Sequence, residues 1–233
     1  MKVFVVNLDH DVEKLAKVSE RLRNAGVEFE RIPAVLGRAL PADAKAVAKN
    51  RFRLWCSIGR PLQDGELGCT LSHLNIYQKM RDDGIPCALV LEDDVTFDER
   101  LPEQMRRVES FMASGVPRVV LLSDRSHAAV EEWVVKPAKK DFGTFAYAIN
   151  LSAASAILRA NKPVCRPCDH WHYWQRRGLI ELYHAYPTVC DYDHSAGSQT
   201  APRFSVSDLP PHKWVLHKLL RLVGRAFDAM LPA

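Results

Sequence analysis

Two continuous apolar runs constrain this chain most: VFVV at residues 3–6 and ALVL at residues 88–91. Each is far too short to cross a membrane, and neither shows the polar alternation of a half-exposed strand, so both read as buried strands. Helix-period segments separate such runs along the chain. This βαβ alternation predicts an α/β domain with a largely parallel central sheet flanked by helices. In such sheets ligands bind beyond the carboxyl ends of the strands.

The reading by element runs as follows. Residues 3–8 form a first strand. From Asp11, an N-cap residue type, Leu15, Val18 and Leu22 recur at helical spacing until Gly26 stops the helix. Residues 27–35 read as a strand turning at Pro33, and 41–52 as one helix opened by Pro41. A buried helix over 65–80 carries Leu67, Leu71, Leu74 and Tyr77 on one stripe. Then come a strand at 87–95, a helix at 101–113 and a strand at 117–124. Residues 131–136 and 143–150 suggest a strand pair, and 152–161 an Ala-rich helix. The stretch 163–200 is loop-rich, with only 180–186 strand-like.

The chain has 233 residues, 47% of them hydrophobic and 26% charged, as in an ordinary globular protein able to bury a full core. A formal charge of +4 is too mild to argue for nucleic acid. The N-terminal apolar stretch is too short for a signal peptide, which predicts a cytoplasmic protein with its six cysteines reduced. Residues 210–233 form a separate segment. Within it, at 212–231, Lys213, His217, Arg221 and Arg225 recur every fourth residue opposite Leu216, Leu219, Leu220, Val223 and Phe227. A basic amphipathic helix of this kind fits peripheral contact with an anionic membrane, or docking on the domain or on a second copy.

The chemistry-bearing feature is the end of the second apolar run, where Leu91 meets Glu92, Asp93 and Asp94. Three adjacent carboxylates repel one another. A divalent cation, Mn²⁺ or Mg²⁺, would remove that repulsion, and such hard ions bind one or two carboxylates while leaving room for phosphate oxygens. On an extended segment Glu92 and Asp94 point one way and Asp93 the other. A solvated turn, with Asp94 or Asp98 capping the next helix, accounts for the same pattern.

The segment just upstream, GELGCTLSH at 65–73, and the acidic strand together resemble the glycosyltransferase family 25 enzymes of bacterial lipooligosaccharide synthesis. Further segments fit in the same order: Asn7-Leu8-Asp9, IPAVLG at 32–37, GTFAYAINLSAASAIL at 143–158 and RPCDHW at 166–171. Two positions depart from the family pattern: His10 stands where an Arg is usual, and Leu36-Gly37 where Asp-Gly is.

The resemblance implies a GT-A type fold, a nucleotide-sugar donor such as UDP-galactose, and a lipid-linked oligosaccharide or related glycan acceptor. On that reading Asp94 is the direct metal ligand and Glu92 holds ribose, or the metal through water; Asp191, Asp193 and His194 offer a later ligand, His194 first among them, although a polar surface loop accounts for that stretch equally well. Asn7, Asp9, Ala34, Glu66, Ser72, His73 and Glu92 are expected at the donor, and Asp93 near its sugar. An acceptor hydroxyl needs a general base, for which Asp169 is the candidate; capping a helix from about residue 170 is its other role. Trp171, Tyr173 and Trp174 suit either a sugar platform or the core.

Two other enzyme or binding classes compete. A metal-dependent phosphoesterase or nucleotidyltransferase would need a phosphate-cradling loop, and neither a P-loop nor GxGxxG is present. A non-catalytic glycan-assembly protein would keep the fold without turnover. Cys165-x-x-Cys168 with His170 and His172 has the look of a zinc site but lacks a second ligand pair at finger spacing.

Overall fold

The computed structural model describes residues 1–123, 130–138, 143–193 and 222–223, with the backbone alone for 55–57. In chain order the elements are β1 (Lys2–Asn7), α1 (Val12–Asn24), β2 (Glu30–Pro33), a 3₁₀ turn (Gly37–Ala39), α2 (Ala42–Ala48), α3 (Arg51–Ile58) and α4 (Asp64–Asp82). There follow β3 (Cys87–Glu92), β4 (Val95–Phe97), α5 (Leu101–Met112), β5 (Arg118–Leu121), β6 (Val134–Pro137), β7 (Ala146–Asn150) and α6 (Leu151–Ala160). The last are α7 (Trp171–Arg176), β8 (Glu181–Tyr186) and β9 (Cys190–Tyr192).

A seven-stranded sheet runs in the order β2-β1-β3-β7-β5-β8-β6. Strand β1 is parallel to β2 and β3, and β5 to β8, while β7 and β6 run against their neighbours. The sheet is thus mostly parallel, as the alternation of strand and helix patterns implies. Side chains alternate across the pleat. Phe4, Val6, Ala88, Val90, Tyr147 and Ile149 build one core with α4, α6 and α7. Val3, Val5, Leu89, Leu91, Ala146 and Ala148 build the other with α1 and α5. Three layers result, and the apolar runs at 3–6 and 88–91 are buried because both faces of the sheet are covered.

Several expectations need correction. The helix read over 41–52 is two, because Lys49 is extended and pairs with Val164. The Val164 N–H donates to the Ala48 carbonyl and the Asn50 N–H to that of Val164, at 2.8 Å each. Asn50 then accepts from Arg53 N–H, opening α3. The strand pair expected from 131–136 and 143–150 does not form: β6 pairs with β8, and β7 lies between β3 and β5. The loop-rich stretch holds α7 and β9 as well as β8. Trp171 and Trp174 are fully buried and Tyr173 is nearly so, which makes them core residues.

The 3₁₀ turn lies directly on the first turns of α4. A Cβ on Gly37 would come within 1.8 Å of the Asp64 carbonyl oxygen, and one on Gly68 within 2.3 Å of that of Val35. Neither backbone can retreat, so glycine is required on both sides of the crossing. Ser72, one turn on, accepts from Val35 N–H and donates to the Gly68 carbonyl, both at 2.8 Å. This crossing fixes α4 against the end of β2.

No described helix is long and apolar enough to cross a membrane. Of the segment 212–231 only Leu222 and Val223 are described; they are helical and exposed. The rest of that segment, and His194, lie outside the described residues.

Candidate active site

β1 and β3 are parallel neighbours, with Val6 in register with Glu92. The chain leaves β1 toward β2 on one side, whereas β3 lies on the other, so their carboxyl ends border a switch point of the sheet. Asn7 ends β1 and Glu92 ends β3, which puts them side by side at this crevice. Asp93 and Asp94 form the turn after β3. The alternation expected along an extended 92–94 therefore stops at Glu92, and contacts set the three carboxylates apart instead.

Glu92 turns toward α4 and β7. It accepts a short hydrogen bond from the Thr144 hydroxyl, and its Oε1 is 3.6 Å from His73 Nε2. Asp93 turns toward β1, where its Oδ2 accepts from Asn7 Nδ2 at 2.7 Å, and Lys14 stands 4.0 Å from its Oδ1. Asp94 Oδ1 is buried and has no hydrogen-bond partner among the described residues. A buried acceptor without a donor is costly and calls for a cation or a proton.

The electrostatics follow this arrangement. Burial, joined by the charges of Glu92 and Asp93, raises Asp94 to about 6. Burial also raises Asp93, against the opposing effects of Asn7 and Lys14. Glu92 is lowered: burial works against its charge, but His73 and Thr144 prevail. Burial likewise opposes a charged imidazole at His73, yet Cys69 and Glu92 outweigh it and raise His73 to about 9. A divalent cation at Asp94 would meet the orphaned oxygen and cancel the mutual repulsion, so the residues fit one.

The remaining expected residues fall into three groups. Asn7 Oδ1 accepts from Arg31 Nε at 3.0 Å, and Arg31 also binds the Asp9 carboxylate. Ala34 is half-buried beside them, its N–H donating to the Asn7 carbonyl at 2.9 Å. Arg31, from β2, thus brings a guanidinium to the end of β1.

Glu66 lies in a second group. Both its oxygens accept from Arg60 at 2.6 Å, and it closes the capping box of α4 by accepting from Gln63 N–H. Arg60 is raised chiefly by Glu66 and further by the nearby charge of Asp169, which sets Asp169 in the same electrostatic neighbourhood. Asp169 is half-buried, and α7 is capped at His170 rather than at Asp169.

Ser72 and His73 form the third group, both fully buried. Ser72 is committed to the crossing with Val35. His73 Nδ1 is 2.7 Å from the Tyr147 hydroxyl, which is 2.9 Å from that of Tyr77.

Lys14, Arg31, Arg60 and Thr144 are missing from the sequence reading. Thr144 sat inside a quoted motif, and Arg31 is a charge within a strand pattern. Lys14 and Arg60 carry no local signal.

A family model described as "Glycosyltransferase family 25 (LPS biosynthesis protein)" matches residues 1–172. The chain belongs to that family. The α/β sheet agrees with the GT-A type fold expected of a family 25 chain. The procollagen galactosyltransferase 1 of Danio rerio is 31% identical over 177 residues, covering 68% of this chain and 28% of that protein. Procollagen galactosyltransferase 1-B of Xenopus laevis is 30% identical over 224 residues, covering 89% and 35% respectively. "Probable inactive glycosyltransferase 25 family member 3" of Rattus norvegicus is 25% identical over 224 residues, covering 84% and 39%. The chain therefore spans well under half the length of these curated relatives. A solved glycosyltransferase involved in glycosylation of the PBCV-1 major capsid has a TM-score of 0.43 at 10% identity, covering 94% of this chain and 98% of that one.

Proposed function

We propose that the chain is a metal-dependent glycosyltransferase that moves a sugar, galactose first among candidates, from a UDP-sugar to a glycan hydroxyl. One observation carries this reading: a buried Asp94 oxygen without a hydrogen-bond partner among the described residues, close to two further carboxylates at the switch point of a mostly parallel sheet. The names of the animal galactosyltransferases support the sugar. The acceptor is a lipid-linked oligosaccharide or another glycan, reached in the cytoplasm or at its membrane face.

Mn²⁺ or Mg²⁺ would be held by Asp94 with Glu92, directly or through water, and by His194. When bound, such an ion neutralises the charge that develops on a departing diphosphate. Asn7 and Asp9, tied together by Arg31, hold the nucleoside end, with Ala34 beside them. Asp93, fixed by Asn7, orients the donor sugar. Glu66 acts through Arg60, whose guanidinium it aims. Asp169 takes the proton from the acceptor hydroxyl as that oxygen attacks the anomeric carbon. The bond to UDP breaks with its electron pair remaining on the diphosphate, and attack from the far face inverts the centre. Ser72 contributes by holding α4 in place.

The test is a screen of nucleotide sugars for metal-dependent donor hydrolysis, with Asp94→Asn beside the wild type. Turnover with one UDP-sugar, lowered about 100-fold or more in the variant, is expected for loss of a group that binds charge in the transition state. Full activity in Asp94→Asn removes the ligand assignment. A second reading, a silent family member, is favoured by the similarity to the rat protein. In that case no donor is turned over, and Mn²⁺ with UDP leaves the melting temperature unmoved.

A further inference from the structure

A different set of donor atoms lies behind the acidic turn. Cys69 and His73 stand four residues apart on α4, and so share a face of the helix. Cys168 arrives from the loop before α7, its N–H donating to the Thr70 hydroxyl at 3.1 Å. The Cys69 and Cys168 sulfurs are 3.4 Å apart, and these two atoms and a ring nitrogen of His73 all lie within 4.8 Å of one another.

The histidine is prepared as a ligand. Its Nδ1 is held by Tyr147, itself held by Tyr77, which fixes the ring. Its Nε2 is fully buried and makes no hydrogen bond among the described residues, with Glu92 Oε1 3.6 Å away. A metal-bound imidazole commonly has its other nitrogen fixed in this way by a neighbouring polar group.

We infer that Cys69, His73 and Cys168 bind one thiophilic divalent cation, Zn²⁺ by class, at a site separate from the carboxylates of the acidic turn. With bonds of about 2.3 Å to sulfur and 2.0 Å to nitrogen, a tetrahedral zinc sets its donors roughly 3.5–3.8 Å apart. The two sulfurs, 3.4 Å apart, would part by a few tenths of an ångström, and the ring nitrogen already lies within 4.8 Å of both. The fourth position falls to water, beside Glu92 Oε1, which stands 3.6 Å from Nε2. Binding replaces the protons on both thiols and any on Nε2 and releases them to solvent. The sulfur and nitrogen set suits zinc, whereas the carboxylate turn suits Mg²⁺ or Mn²⁺. A cation here would pin the loop that carries Asp169 to α4, making these three residues positioning residues for the neighbouring site.

The pairing differs from the Cys-x-x-Cys that the sequence presents. The thiol of Cys165 points away to the Ala160 carbonyl and the Asn161 side chain, and the His170 and His172 rings lie 5.9 Å apart facing each other. Cys168 finds its partner across the fold.

The inference stands apart from the transferase reading, and its test uses no nucleotide sugar. The full chain, reduced and freed of metal, is titrated with Co²⁺. A thiolate-to-cobalt charge-transfer band saturating at one ion per chain, and displaced by Zn²⁺, is expected. The band should be lost in Cys69→Ser and Cys168→Ser and kept in Cys165→Ser and Asp94→Asn. In the wild type, Zn²⁺ should slow alkylation of Cys69 and Cys168 by at least tenfold, mapped by mass spectrometry; this needs no variant to fold. No band with the reduced wild type, a band unaffected by both serine variants, or a Cys69–Cys168 disulfide that persists under mild reduction would each overturn the site.

Discussion

The two clusters on either side of Glu92 are built from the same ingredient, buried polar atoms short of partners, but from opposite chemistry. On one side, oxygen atoms gather in a turn at the crevice, and Asp94 Oδ1 has no donor among the described residues. On the other, two sulfurs and an imidazole gather inside the packing of α4 against the loop at 165–168. The hard set lies at the carboxyl end of β3, and the soft set is enclosed by core residues such as Tyr147 and Trp171, whose rings are 4.8 Å apart. On the two proposals, one fold would offer two cation environments that discriminate by donor softness rather than by affinity alone.

The comparison can be broken most forcefully at the crossing that both clusters depend on. Gly37→Ala drives a Cβ into the Asp64 carbonyl, and a loss of about 3 kcal/mol is expected. Urea denaturation reads it, and both the Mn²⁺ response and the cobalt band should weaken together. If only one weakens, α4 does not hold both sites.

A smaller effect separates the two clusters by pH. Asp94 is raised to about 6 in the folded protein, above its ordinary value of 3.8. The folded state therefore holds this proton more tightly than the unfolded one. Its favourable contribution is complete below about pH 4 and lost as pH rises through about 6. Metal-free Asp94→Asn should lack that loss, and so gain on the wild type between those values in thermal melts. Identical pH profiles would show that Asp94 is not strained. Mn²⁺ should restore the wild type above pH 6 and leave the variant unchanged.

The smallest expected effect sits at Lys14, 4.0 Å from Asp93 and partly exposed. Lys14→Ala should change stability by less than about 1 kcal/mol, as loose surface pairs do. Calorimetry should find Mn²⁺ bound slightly more tightly, since a competing positive charge is gone, with Co²⁺ at the sulfur site unaffected.

Much of the site was legible because it is local. A buried run ending in acids places Glu92 at a strand end, and the helix expected over 65–80, which is α4, follows from its stripe. What was not legible is non-local. Val164 breaks the helix expected over 41–52 by pairing with Lys49, more than a hundred residues away in sequence. Strand β7 inserts between β3 and β5, so the neighbours of 143–150 could not be read from the segment before it. α7 is six residues long, rich in aromatics and without a side-chain cap, which leaves no helix signal.

By itself the sequence determined the α/β class, the order of most elements and the concentration of carboxylate at 92–94, because hydrophobic period and chain direction are properties of short segments. Only the tertiary structure decided which carboxylate lacks a donor, that Arg31 and Lys14 reach the cluster, and that Cys168 meets Cys69 rather than Cys165. Those outcomes depend on which elements the sheet order and the glycine crossing bring into contact. A side chain's partners are fixed by packing across the fold, and no local pattern encodes that.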